Sequence, residues 1–221
     1  MAIEKNVLLA HQDFMRKNLF IALEGIDGSG KSTQARLLAE KLKQDGHKVY
    51  STFEPTDSYI GSIIREILRG NRKADHITIA GLFLADRLDH LLNENNGLVK
   101  LLAEGYTIIT DRYYFSSYAY HGTHTDIDWV IDANKMCARI LRPDINIYID
   151  VAPEVCHQRI LANREGVELY EALDNLRNVR AKYMEAFEKQ KAEENIVFVD
   201  GNRSQDEILA DVVNLVYELQ K

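Results

Sequence analysis

One glycine-rich segment constrains the fold of this chain more than any other part of the sequence. The segment GIDGSGKST, at residues 25–33, matches the pattern G-x-x-x-x-G-K-[ST]. The short apolar run NLFIALE precedes it and a helical pattern follows it, which is the context that this pattern requires. Glycines let the backbone turn tightly and bring its N–H groups onto a phosphate, and the following helix points its positive end at the same anion. The sequence therefore predicts a phosphate-binding loop between a buried strand and a helix.

The polar side chains of this loop have separate predicted tasks. Lys31 supplies a cation to the β and γ oxygens of a nucleoside triphosphate, and Ser32 offers its hydroxyl group to Mg²⁺. Asp27 is either a turn former or a carboxylate that faces the acceptor or a metal-bound water. We predict that the whole loop binds ATP, through Gly25, Ile26, Asp27, Gly28, Ser29, Gly30, Lys31, Ser32 and Thr33.

Strand-like and helix-like segments alternate along the rest of the chain. Such alternation produces right-handed crossovers and a parallel sheet covered by helices on both faces. We therefore predict an α/β chain of the three-layer P-loop NTPase class, with a five-stranded parallel sheet flanked by helices and a short lid. Ligands of such sheets bind at the carboxyl ends of the strands. The predicted strands are residues 18–24, 47–53, 106–111, 145–150 and 195–200, and the predicted helices are residues 32–44, 60–68, 77–92, 128–141, 153–162, 173–194 and 205–219.

Composition narrows the possible classes of function. Hydrophobic residues make up 46% of the 221 residues and no long apolar run occurs, so we expect no membrane span. The net charge of −7 and the lack of a basic stripe argue against binding to a nucleic acid polymer. Cys137 and Cys156 have no paired spacing and are expected to be reduced thiols. We predict one domain at residues 18–221, preceded by a helical extension at residues 1–17.

Two further segments carry charged residues where a substrate could meet them. Asp111 ends a buried strand, so it is a candidate partner of Mg²⁺-bound water, and Arg112 beside it would lie over the phosphates. Phe83 and Arg87 are four positions apart on one helical face. Together they could stack on a base and clamp a phosphate, although an aromatic residue at helical spacing is more often part of the core.

A charged segment at residues 159–171 interrupts a helical pattern around Gly166. It carries Arg159 and Arg164 and lies between two predicted helices. We predict that it closes over the substrates as a lid, with a solvated loop as the alternative.

Taken in order, the motifs resemble those of the thymidylate kinase family. GIDGSGKST is followed by FEPTDSYIG, LFLADR, DRYYFSSYAYHG and a final VDGNRS loop, over roughly residues 18–220. The phosphate-binding loop is common to many nucleotide kinases, whereas EPT, LFxADR and DRYxxSSxAY are specific in combination. The resemblance implies Mg²⁺-dependent transfer of the γ-phosphoryl group of ATP to dTMP. It also implies a cytoplasmic homodimer that packs through helices around residues 60–92 and 128–141.

The same resemblance implies roles for individual residues. Phe83 is similar to the aromatic residue that stacks on thymine, and Arg87 and Arg112 resemble arginines at the acceptor phosphate. The loop lacks a basic residue between Gly28 and Gly30, which in this family accompanies a catalytic lid arginine, here Arg164. With it, the predicted catalytic set is Lys31, Asp27, Asp111, Arg112 and Arg164. The other implied contacts are Glu54, Ser116, His121 and Tyr170 with the acceptor, and Arg159, Asn202 and Arg203 with ATP.

Three positions depart from the family's usual pattern. Phe53 replaces the usual arginine before Glu-Pro, His121 a frequent glutamine, and Leu169 a frequent second lid arginine. Phe53 removes one cation from the acceptor site, where a charge-assisted contact is worth roughly 1.5–3 kcal/mol. The nearby arginines that could substitute for it are Arg65, Arg69 and Arg72.

These departures leave two alternatives open. One is a related kinase that acts on a different (deoxy)nucleotide or on a deoxynucleoside. A nucleoside acceptor would need a general base, for which Glu54 is the candidate. The other is a non-catalytic nucleotide-binding module, against which the metal-handling residues Ser32 and Asp111 argue.

Overall fold

The computed structural model describes residues 18–163 and 172–221. Their strands form one sheet in the order β2-β3-β1-β4-β5, and every neighbouring pair is parallel. The prediction of an α/β chain with a five-stranded parallel sheet is confirmed. The strands are β1 (Phe20–Glu24), β2 (Val49–Phe53), β3 (Thr107–Asp111), β4 (Ile145–Asp150) and β5 (Ile196–Asp200).

Helices connect the strands and flank the sheet. Each predicted helix begins and ends close to its predicted position, except that the long charged helix stops at Gln190 rather than at Glu194. There the chain turns inward, because the buried carboxylate of Glu194 accepts hydrogen bonds from Tyr114 and Asn146. Within the described residues the helices are α1 (Lys31–Gln44), α2 (Tyr59–Leu68), α3 (His76–Leu92), α4 (Leu98–Ala103), α5 (Tyr114–Gly122), α6 (Ile127–Ile140), α7 (Pro153–Asn163), α8 (Leu173–Gln190) and α9 (Gln205–Glu218).

Two of these helices, α4 and α5, were not predicted. Helix α4 has only six residues, too few to show a helical period. All nine residues of α5 are buried, so its sequence shows no alternation between an apolar and a polar face. Because α5 directly follows β3, it carries several residues of the site described below.

The centre of the sheet sets the position of the site. All five residues of β1 are completely buried, including the charged Glu24 at its carboxyl end. The Glu24 carboxylate accepts hydrogen bonds from the Tyr113 backbone and from the Ser116 and Tyr183 hydroxyl groups. Burial raises the pKa of Glu24, and these bonds act against that rise. Glu24 thus fixes the start of α5 beside the phosphate-binding loop.

The predicted extension at residues 1–17 lies outside the described residues, as does most of the predicted lid. Among the described residues, no helix combines the length and the apolar character needed to cross a membrane.

Candidate active site

The phosphate-binding loop connects β1 to α1. Gly28 and Gly30 have φ angles of 81° and 94°, in the left-handed region that favours glycine. A side chain at Gly28 would also place its Cβ atom 2.5 Å from the carbonyl oxygen of Cys156. Two independent constraints therefore require glycine at this position, one from the backbone and one from the neighbouring helix α7.

A polar cavity opens in front of this loop. Lys31 reaches it from the first turn of α1, with only 5% of its surface exposed. From α7, Arg159 donates hydrogen bonds to the carbonyl oxygens of Gly28, Ser29 and Gly201. This donor cavity is lined by Asp27, Gly28, Ser29, Gly30, Lys31, Ser32, Thr33, Gln34, Arg159, Ile160, Gly201, Arg203, Gln205 and Ile208.

A second cavity lies on the other side of the loop. It is lined by charged and aromatic side chains from β2, α2, α3, α5 and the segments beside them. This acceptor cavity is lined by Asp27, Phe53, Glu54, Pro55, Arg65, Leu68, Arg69, Phe83, Arg87, Arg112, Ser116, Ser117, Tyr120 and His121.

Asp27 lines both cavities and contacts one cation from each of them, Lys31 and Arg112. Its carboxylate is 3.6 Å from the Lys31 Nζ atom, forms an ion pair with Arg112, and accepts a 2.8 Å hydrogen bond from the Tyr120 hydroxyl group. Burial alone would raise the pKa of Asp27, but Arg112 and Lys31 bring it down to about 2. Asp27 is therefore ionised at neutral pH and holds two cations at the boundary between the cavities.

Arg112 reaches this boundary through an unusual backbone conformation. Its φ angle is 76°, in the left-handed region, which costs a non-glycine residue roughly 1–2 kcal/mol. Its Nη1 atom donates to the Ser116 hydroxyl oxygen at 3.1 Å while Nη2 meets Asp27. Strained residues of this kind cluster at functional sites, where the surrounding contacts hold them.

Arg87 lies at the floor of the acceptor cavity, where only 1% of its surface is exposed. Its Nε and Nη2 atoms donate to one oxygen of Glu54, at 2.9 and 2.6 Å. Its Nη1 atom donates to Ser117 and Asn134. Glu54 thus neutralises the charge of Arg87 in this structure, and the contact of Arg87 with the acceptor phosphate stays a prediction.

Glu54 is buried as deeply as its partner. Burial alone would raise its pKa, but Arg87 and a hydrogen bond with His90 bring the pKa below its ordinary value. His90 in turn contacts the Thr52 hydroxyl oxygen at 2.8 Å. Glu54 thus forms part of a buried, hydrogen-bonded ion pair under the cavity.

Phe83 and His121 form an aromatic wall of the acceptor cavity. Their ring centroids are 5.0 Å apart. His121 is buried, and burial together with the nearby Arg87 lowers its pKa to about 3, so the ring is neutral at physiological pH. The Nδ1 atom of His121 is buried with no hydrogen-bond partner among the described residues. The two rings are tilted by 56°, so a neutral aromatic face, rather than a single flat surface, is available to stack on a nucleobase.

The chain is similar to known proteins over most of its length. A family model described as thymidylate kinase matches residues 23–212. The chain belongs to the thymidylate kinase family. Similar proteins called "Probable thymidylate kinase" come from Caldivirga maquilingensis and Pyrobaculum aerophilum, at 37% and 40% identity. These matches cover 92% and 89% of this chain and 95% of each relative. A third, from Thermococcus onnurineus, is 36% identical over 92% of this chain and 100% of its own length.

Several residues that were predicted from the sequence or implied by the thymidylate kinase resemblance lie away from the cavities or outside the described residues. Ile26 is fully buried in the core, and its carbonyl oxygen closes the loop by accepting from the Ser29 backbone. The Asn202 side chain donates to Asp200 rather than lining the donor cavity. Arg164, Tyr170 and Leu169 are outside the described residues, so their predicted roles stay predictions.

Other residues of this thymidylate kinase site were missed by sequence reasoning. Tyr120 contacts both Asp27 and Arg112, although its motif SSxAY was already noted. Ser117 binds Arg87, and Gln34 lines the donor cavity while its amide nitrogen donates to the Gln205 carbonyl oxygen. The signal that could have identified them is their position in the chain. Gln34 lies in the first turn of α1, which follows β1, and Ser117 and Tyr120 lie in α5, which follows β3.

Proposed function

We propose that this protein transfers the γ-phosphoryl group of ATP to dTMP and acts in the cytoplasm. The observation that carries the proposal is that Asp27 belongs to both cavities, so a donor and an acceptor can meet head to tail at one point. Relatives called "Probable thymidylate kinase" support the same acceptor.

The chemistry needs positioning more than proton transfer. The acceptor phosphate is largely ionised at neutral pH because its second pKa is about 6. The obstacles are the repulsion between two polyanions and their alignment. Lys31 is placed to neutralise the donor phosphates, and Arg112 to hold the acceptor phosphate in line. Asp27 keeps both cations in place before either substrate arrives.

The residues also fit a magnesium ion. Asp111 ends β3 beside the loop, and its Oδ1 atom is buried with no hydrogen-bond partner among the described residues. Such an acceptor suits a metal-bound water, and Ser32 presents a hydroxyl group at the start of α1. When bound with ATP, Mg²⁺ would neutralise part of the phosphate charge.

Removal of divalent metal should abolish turnover, and Mg²⁺ should restore it. Replacing Asp111 with asparagine should raise the Mg²⁺ concentration needed for half-maximal rate by about tenfold, since residues that hydrogen-bond to a metal's ligands typically contribute this much to metal affinity. A coupled ADP assay across a Mg²⁺ titration measures both effects. Full turnover in EDTA would contradict the assignment of Ser32 and Asp111.

A nucleoside acceptor is disfavoured by the state of Glu54, the general base that the sequence suggested for it. Glu54 is 4% exposed, ion-paired with Arg87 and hydrogen-bonded to His90, so it is not available to take a proton from a hydroxyl group. In a screen of purified protein with ATP, we expect dTMP to be phosphorylated at the highest kcat/KM, dUMP more slowly, and thymidine not at all. Preferential turnover of thymidine would support the deoxynucleoside kinase, and no ADP formation with any acceptor would support the non-catalytic module.

We also propose that the protein forms a homodimer through α3 and α6. Large apolar side chains are exposed on both helices, namely Ile77, Trp129 and Met136, at 58%, 42% and 54%. Exposed apolar residues on adjacent helices are typical of a subunit interface.

A further inference from the structure

The arginines that line the acceptor cavity differ in how far neighbouring carboxylates neutralise their charges. Arg87 is paired with Glu54 at 2.6 Å, and Arg112 is paired with Asp27. The Arg87–Glu54 pair is nearly neutral toward an incoming anion, whereas Asp27 is shared by Arg112 and Lys31, so one positive charge of that group remains. The other two cavity arginines, Arg65 and Arg69, come from the end of α2.

Arg65 is largely used by the turn that it covers. Its Nη1 atom donates to the carbonyl oxygens of Pro55 and Thr56, and its Nη2 atom is 3.5 Å from the exposed carboxylate of Asp57. These contacts hold the segment between β2 and α2 in place. Arg65 therefore acts on the cavity mainly through the shape of its wall.

Arg69 differs from the other three. Within residues 18–163 and 172–221, its guanidinium makes no hydrogen bond, and its one ion pair is a 4.0 Å approach to Glu66. More than half of its side chain is exposed, and so is 43% of Phe53, an apolar residue of the same cavity. The N–H groups of Arg69 are thus available to a ligand, at a wall of the cavity where the Phe53 side chain has no hydrogen-bond donor.

We propose that Arg69 binds the phosphate of the acceptor nucleotide and makes the site prefer a monophosphate to a nucleoside. This inference rests on the proposed function. A guanidinium presents paired donors that match phosphate oxygens, and a dianion gains most from a cation whose charge is not already neutralised.

The test compares dTMP with thymidine, which lacks the phosphate, by isothermal titration calorimetry. In Arg69→Ala, the Kd of dTMP should rise about tenfold, as expected for loss of a charge-assisted contact, while the Kd of thymidine stays within about twofold. Arg72→Ala is the matched control, because Arg72 is exposed and does not line the cavity. It should change neither Kd.

A second variant tests whether the binding of dTMP requires a cation at this wall of the cavity. Phe53→Arg in the Arg69→Ala background should restore most of the lost dTMP affinity. The proposal is overturned if Arg69→Ala weakens dTMP and thymidine equally, if it weakens neither, or if the double variant binds dTMP no better than Arg69→Ala. A wild-type protein that does not phosphorylate dTMP would refute the proposed function instead, so the two failures are distinguishable.

Discussion

Replacing Lys31 with alanine should lower kcat by about three orders of magnitude. Lys31 is the cation of the phosphate-binding loop, is only 5% exposed, and lies 3.6 Å from Asp27 at the boundary of the two cavities. Loss of a preorganised group that stabilises developing charge in a site of this kind costs on the order of 10²–10³ in kcat, and more where the group is charged. Steady-state kinetics at saturating ATP and dTMP measure the effect.

The fold should survive this substitution, because the Lys31 ammonium group faces a cavity and not the apolar core. The melting temperature should stay within a few degrees of the wild type. Lys41→Ala is a matched control on the same helix, since Lys41 is 41% exposed and, among the residues that the structure describes, pairs with Asp45 alone. A Lys31→Ala protein that keeps a kcat within tenfold of the wild type would remove Lys31 from the catalytic set.

Replacing Arg87 with methionine should cause the largest loss of stability. The substitution leaves Glu54 buried without its partner, and breaking a buried ion pair in this way costs about 3–5 kcal/mol. For a chain of this size each kcal/mol corresponds to about 2–4 °C, so the melting temperature should fall by roughly 6–20 °C. Thermal and urea denaturation of the variant measure this loss.

The cause can be separated from a general loss of packing by a second change. Glu54→Leu combined with Arg87→Met removes both charges and should recover at least half of the lost stability. Arg36→Met is the control, because Arg36 pairs with Glu40 at 2.8 Å on an exposed helix face. It should change the free energy of unfolding by less than about 0.5 kcal/mol. An Arg87→Met protein as stable as the wild type would show that the pair does not hold the cavity floor.

The centre of the sheet could be predicted from sequence because β1, β3 and β4 are buried on both faces. Phe20 to Leu23 is a continuous apolar run, Ile145 to Ile149 is interrupted only by Asn146, and glycine or proline lies near their ends. Helix α5 could not be predicted in the same way, since burial on every side removes the period that identifies a helix. Complete burial thus made the central strands recognisable as apolar runs and also concealed the helical period of α5.

The sequence indicated which residues form the site, but it did not indicate which of them form ion pairs with one another. The spacing of Phe83 and Arg87 on one helix face indicated that both face the same cavity. It carried no information about Glu54, which is 33 positions away and reaches Arg87 only through the fold. The fold thus adds a buried ion pair with Glu54 to Arg87, whose predicted contact with the acceptor phosphate stays a prediction. Likewise, Asp27 could be read from the loop as a turn former or as a functional carboxylate, and only its contacts with Lys31 and Arg112 distinguish these possibilities.

The most direct test of the account is the binding of adenosine and thymidine joined through five phosphates in one molecule. If the two cavities meet at Asp27, calorimetry should show one molecule bound per chain, at least 100-fold tighter than ATP or dTMP alone, because one association event fills both sites. Lys31→Ala and Arg112→Ala should each weaken it. Affinity no better than that of ATP, with dTMP still able to bind at the same time, would show that the cavities do not form one site.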